Sequence, residues 1–141
     1  MSVVIDASVI VALVVADPRQ AVAKAHLESW IEGGETLHAP AVLPYEVANV
    51  LARLVFDRAL ELGEVADVWD DLAALELVLH PFDLTQDGPD VAAITVRLRR
   101  RHATDSTYIS LADRLGTDVW TLDGALARNA ADAGLPVRLM S

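Results

Sequence analysis

Along the chain, short apolar runs alternate with longer stretches in which apolar positions recur at helical spacing. That alternation is the mark of βαβ units and a parallel sheet. Residues 3–5, 36–39, 76–82, 118–122 and 137–139 read as strands. Residues 7–15, 20–31, 44 to about 59, 64–75, 105–115 and 125–133 read as helices, and one more opens at Pro89 and ends in a run of arginines. Punctuation supports these bounds. Gly33-Gly34 closes one helix, Pro40 stops a strand, Pro44 fits a first helical turn, and Gly116 ends the helix before the fourth strand. The predicted order is β-α-α-β-α-α-β-α-α-β-α-β. Right-handed crossovers put its helices on both faces of one parallel sheet. In such folds the functional site lies beyond the carboxyl ends of the strands, so the residues directly after each strand are the ones to examine.

Composition narrows the class. A length of 141 residues is that of one compact domain, 1–141, and 53% hydrophobic residues suffice for a real core. The longest uncharged run, residues 7–16, is too short to span a bilayer. The opening residues look like a first strand and not a signal peptide, so a soluble, cytoplasmic protein is expected. The absence of cysteine excludes disulfides, zinc–thiolate sites and a thiol nucleophile. Any metal must be held by oxygen or imidazole. The net charge of −10 repels nucleic acid on average, so contact with nucleic acid must rest on local features.

Four acids stand where the chemistry is expected. Asp6 follows the first strand, Glu46 lies in the first turn of the helix begun by Pro44, Asp105 opens a helix, and Asp123 follows the fourth strand. Each has an ordinary structural reading as well. Asp6, Asp105 and Asp123 stand where a helix N-cap is favoured, and Glu46 suits the positive end of a helix dipole. As a group they carry a stronger implication. Carboxylates within ~4 Å of one another repel by ~4 kcal/mol per pair at an effective dielectric of ~20. Proton uptake or a bound cation relieves that repulsion. An all-oxygen set suits a hard ion, Mg²⁺ or Mn²⁺, which supports phosphodiester hydrolysis by water.

The residues around these acids resemble a known family. Val4-Ile5-Asp6-Ala7-Ser8 resembles the opening strand of PIN domains. Pro44-Tyr45-Glu46-Val47-Ala48-Asn49 is similar to the helix carrying the family's second acid. Asp105-Ser106-Thr107-Tyr108-Ile109-Ser110-Leu111-Ala112 resembles the helix of the third, and Trp120-Thr121-Leu122-Asp123 the last motif. Any one of these is weak, but four in family order over residues 4–123 are specific. At this length the chain looks most like the VapC-type ribonuclease toxins of bacterial toxin–antitoxin pairs. The resemblance implies a three-layer α/β/α fold with a central parallel sheet of about five strands. It also implies an endoribonuclease using Mg²⁺ or Mn²⁺, an RNA substrate, a homodimer, and an antitoxin partner that reaches the pocket with a basic side chain. By position, Asp6, Asp105 and Asp123 would bind metal. Glu46 would bind it directly or through water, or position the attacking water. Ser8, Asn49 and Thr121 would steady these groups from behind.

Some features stay open at this stage. Arg97, Arg99, Arg100 and Arg101 form a basic run that either meets RNA phosphates or complements a helix C-terminus. The four histidines lack ligand spacing. Trp30, Trp69 and Trp120 read as core or interface residues. The apolar helices around Leu51 and Val68 have surplus apolar positions that suit a dimer or a partner helix. Two other acidic α/β phosphotransfer folds fit poorly. A phosphoaspartate receiver needs a late lysine, and the one lysine is Lys24; a haloacid-dehalogenase-like phosphatase needs an acid at the position of Ser8. The remaining alternative is a non-catalytic module whose acidic pocket binds a basic peptide.

Overall fold

A computed structural model describes residues 1–141. Its elements are β1 (Ser2–Ile5), α1 (Ala7–Val14), α2 (Gln20–Glu32), β2 (Thr36–Pro40), α3 (Leu43–Phe56), a single 3₁₀ turn at Leu62–Glu64, α4 (Val65–Ala74), β3 (Val78–His80), α5 (Asp87–Arg97), α6 (Thr104–Leu115), β4 (Val119–Thr121), α7 (Gly124–Asp132) and β5 (Val137–Leu139). The five strands form one sheet in the order β3-β2-β1-β4-β5, and every pair is parallel. Right-handed crossovers put α1 to α4 on one face and α5 to α7 on the other. The packing agrees: α1 lies against α2, α3 and α4, while α6 lies against α5, β1, β2 and β4.

β1 is the centre of the molecule. Val4 and Ile5 are fully buried, as befits a strand covered on both faces. Burial continues into α1 through Val9, Ile10 and Ala12, and into α6 through Tyr108, Ile109 and Ala112. Because all strands are parallel, all carboxyl ends share one edge. Strand order runs outward from β1 to β3 on one side and from β4 to β5 on the other. The direction of winding therefore reverses between β1 and β4, which is where such folds open a crevice. Asp6 and Asp123 flank that reversal.

The structure adjusts several predicted bounds. The third strand spans only Val78–His80, where residues 76–82 were expected. Glu76 has a left-handed φ of 53° that closes α4, and Pro81 has no N–H to continue the ladder. α3 ends at Phe56 and not near residue 59, because Arg58 turns left-handed at φ 58°. α5 begins at Asp87, two residues before Pro89, and places the proline inside its first turn. Gly116, at φ 68°, ends α6 as expected. No helix is long and apolar enough to cross a membrane.

Candidate active site

Asp6 lies at the carboxyl end of β1 and caps α1, with Oδ1 accepting from Ser8 N at 3.0 Å and Val9 N at 3.3 Å. Two hydroxyls complete its shell. Ser8 Oγ donates to Oδ1, and Thr121 Oγ1 donates to Oδ2, both at 2.5 Å. Each hydroxyl has one proton, so its remaining role is as an acceptor. Ser8 Oγ accepts Leu122 N and Thr121 Oγ1 accepts Asp123 N, both at 2.9 Å. Backbone amides at the end of β4 thus polarise two hydroxyls that converge on one carboxylate, and such chains reinforce one another. The Asp6 N–H also donates to Trp120 O at 3.1 Å, which ties the two strand ends together.

Asp123 caps α7, with Oδ1 accepting from Ala125 N and Leu126 N; its other oxygen makes no hydrogen bond. Asp105 differs. It was expected to open its helix as a cap, but α6 starts at Thr104, with Ala103 in the cap position. Asp105 therefore sits within the first turn and accepts no hydrogen bond from the protein. Its carboxylate serves no visible structural purpose, which removes the capping explanation for this acid. Glu46 lies in the first turn of α3 and takes a 2.6 Å hydrogen bond from the Tyr108 hydroxyl. Asn49 is exposed on α3 and makes no hydrogen bond to Glu46. Tyr108 was not among the residues singled out from sequence. Its partner lies 62 residues away, and only its place one turn after Asp105 hinted at the site.

The acids act on one another. Burial pushes the Asp6 carboxyl above its ordinary value of 3.8; the bonds from Ser8, Thr121 and Val9 oppose this, and the charge of Asp105 adds to it. Burial raises Glu46, against the Tyr108 bond and with help from Asp105 and Asp6. Burial raises Asp105 as well, while Arg100 pulls it down and Asp123 pushes it up. These couplings mark one electrostatic unit. The donor set fits a hard divalent ion, being all oxygen with uncommitted lone pairs on Glu46, Asp105 and Asp123. The tight cluster imagined from sequence is nonetheless not formed: no three carboxylate or imidazole side chains stand close enough together to hold an ion.

A raised carboxyl pKa in the fold has a definite sign. The fold favours the protonated acid, so the contribution to stability is fully present below the unfolded pKa and disappears as pH rises through the folded value. At neutral pH Asp105 therefore opposes folding. Asp105→Asn is expected to raise the thermal midpoint of metal-free protein at pH 7 by a few degrees, measured by circular dichroism, with the gain vanishing toward pH 4.

The basic run divides. Arg97 donates to Ala133 O at the end of α7, Arg99 makes a left-handed turn at φ 55°, and Arg101 is exposed. Arg100 alone lies beside an acid, Asp105, and its Nε is buried without a hydrogen-bond partner. Opposite, Arg19 donates to Leu122 O at 3.2 Å and sits near Asp6 and Asp123. Trp30 and Trp120 pack with His26 between them, at ring-centroid distances of 5.6 and 5.1 Å. Trp30 lies on α2 and Trp120 on β4, so the cluster packs α2 onto the sheet.

Comparison with known proteins agrees with this construction. Residues 3–132 match the PIN domain family. Ribonuclease VapC12 of Mycobacterium tuberculosis is 30% identical over 131 residues, covering 90% of this chain and 91% of its own length. Ribonuclease VapC3 of Pyrobaculum aerophilum is 28% identical over 130 residues, covering 90% and 93%. Among solved structures, PAE2754 from Pyrobaculum aerophilum superposes with a TM-score of 0.67 at 19% identity, over 92% of this chain and 79% of that one, and so shares the fold. The chain belongs to the PIN domain family and is a relative of the VapC ribonucleases.

Proposed function

We propose that this protein is a divalent-metal-dependent endoribonuclease, the toxin of a toxin–antitoxin pair. The observation that carries the reading is the set of four acids along the carboxyl edge of the sheet, three of them buried enough to have raised pKa values and none neutralised by an ion pair of its own. Relatives named as ribonucleases along nearly the whole chain support the choice of RNA. Asp6, Asp105 and Asp123 are the residues that would hold Mg²⁺ or Mn²⁺, with Glu46 as a further ligand or as the group that orients water. When bound, such an ion acidifies a water and neutralises phosphate charge. Ser8 and Thr121 fix the Asp6 carboxylate in one orientation, so that the one remaining lone pair of Oδ2 keeps a constant direction. Glu46, with one oxygen uncommitted, is suited to accept a proton from an attacking water.

Arg100 is the member of the basic run suited to a phosphate beside Asp105. Arg100→Ala in an Asp6→Asn background is expected to weaken binding of a short RNA and to lower the slope of log affinity against log salt by about 1. Arg99→Ala leaves that slope unchanged. Fluorescence anisotropy at several salt concentrations reads both.

The family reading extends to partners: an antitoxin that covers the acidic pocket, and a homodimer built on the exposed apolar positions of α3 and the β3 edge, among them Phe56, Val78 and Leu79. The direct test of the activity is incubation of purified, antitoxin-free protein with an RNA panel labelled at either end, under Mg²⁺, Mn²⁺ or EDTA. Internal cuts that require the metal support the proposal. Intact RNA under every condition contradicts it.

A further inference from the structure

We infer that Tyr108 is a positioning residue of the acidic site: its hydroxyl fixes the Glu46 carboxylate by holding Oε1, and leaves Oε2 as the free oxygen. The inference rests on the reading of Glu46 as a member of that site. Tyr108 is 2% exposed, and its hydroxyl donates to Glu46 Oε1 at 2.6 Å. This is the one side-chain hydrogen bond that either group makes. A phenol has a single proton, and next to a carboxylate its direction is not in doubt. The buried hydroxyl has no water to turn to, so a Glu46 that swings away leaves an unsatisfied donor behind it.

Topology gives the contact its consequence. Glu46 belongs to α3 and Tyr108 to α6, helices from opposite layers of the sheet. The bond therefore joins the two layers across the carboxyl edge. Tyr108 also follows Asp105 by three residues on α6, so both lie on neighbouring positions of one rigid helix. That helix carries one acid directly and holds a second by its oxygen, and in this way sets the spacing between Glu46 and Asp105. Tyr108 reaches no substrate itself and acts through Glu46.

The test is Tyr108→Phe, which keeps the ring and removes the bond. It is made in the native chain and in a Glu46→Ala background, with Mn²⁺ titrated by calorimetry, RNA cleavage timed and thermal midpoints recorded. In the native background Mn²⁺ affinity or cleavage rate is expected to fall about 10–100-fold, as for other residues that hold a ligand from behind. The midpoint stays nearly constant, and in the Glu46→Ala background the same change has no further effect. Equal losses in both backgrounds, or no loss in either, overturn the inference. A second readout is independent of RNA and metal. The Tyr108 hydroxyl proton is expected as a slowly exchanging downfield resonance, absent in Tyr108→Phe and displaced in Glu46→Gln. Absence of that signal in the native protein, or its indifference to Glu46→Gln, overturns the inference even if the chain proves to cut no RNA, so failure of the nuclease reading remains distinguishable.

Discussion

Asp6→Asn is expected to abolish RNA cleavage and to leave the fold intact. Loss of a residue that merely supports a ligand costs about 10–100-fold, so loss of a ligand at the centre of the site is expected to exceed about 100-fold. The fold survives for reasons visible at the residue. Asn is as good an N-cap as Asp, and its carbonyl oxygen accepts from Ser8 N and Val9 N as the carboxylate does. Its amide meets Thr121 Oγ1, which accepts from it and turns its own proton toward Ser8 Oγ, 3.4 Å away. The substitution also removes a buried charge whose pKa is raised by desolvation, so the metal-free thermal midpoint is equal to or above that of the native protein. Cleavage timed beside a melting curve separates the two effects. A variant that is stable and still cuts at the native rate would remove Asp6 from the mechanism.

The largest effect on stability is expected one residue earlier. Ile5→Ala costs about 2–5 kcal/mol, because a fully buried side chain leaves a cavity between two helical layers that cannot both close on it. A domain of this kind is stable by about 5–15 kcal/mol, so the loss is a large share of the total. Ile5 pairs with Trp120, and the cavity therefore opens directly beneath the hydrogen-bonded strand ends that orient Asp6. In urea denaturation the midpoint falls while the slope holds, as for a loss of stability without a change in the unfolded state. Val78→Ala, on the half-exposed edge strand, shifts the midpoint little.

Activity follows pH with a sign fixed by the same electrostatics. Asp6, Glu46 and Asp105 all titrate above their ordinary values of 3.8, 4.5 and 3.8. Cleavage is therefore expected to decline on acidification well before ordinary carboxylates protonate. A pH–rate profile at subsaturating metal reads the position of that limb, because a saturating cation holds the acids ionised.

Much of this was legible in the chain. The buried run through Ile5 announced the central strand, and Asp6 and Asp123 lie directly after strand ends as read, although no three of the acids stand close enough together to hold an ion. Asp6, Glu46, Asp105 and Asp123 share the carboxyl edge because every strand is parallel, and parallelism followed from the βαβ alternation. Local detail was less legible. The third strand was overextended because apolar content was visible in residues 76–82 and the left-handed turn at Glu76 was not. Asp105, read as a metal-binding acid, also had a capping reading because Asp is favoured at a helix start, whereas the helix begins one residue earlier and leaves the carboxylate uncommitted. The arginine run could not be oriented from sequence, since Arg99 turns the backbone and sends Arg97 and Arg100 to different neighbours. The bond between Tyr108 and Glu46 is a tertiary contact with no local pattern.

The central claim is that the four acids form one divalent-cation site, and calorimetric titration of Mn²⁺ into metal-free protein tests it most directly. Native protein is expected to bind the ion, and Asp6→Asn and Asp105→Asn to bind it far more weakly while remaining folded. Absence of binding at millimolar Mn²⁺, or equal binding by all three proteins, would contradict the claim and mark the edge as an acidic pocket for a basic peptide.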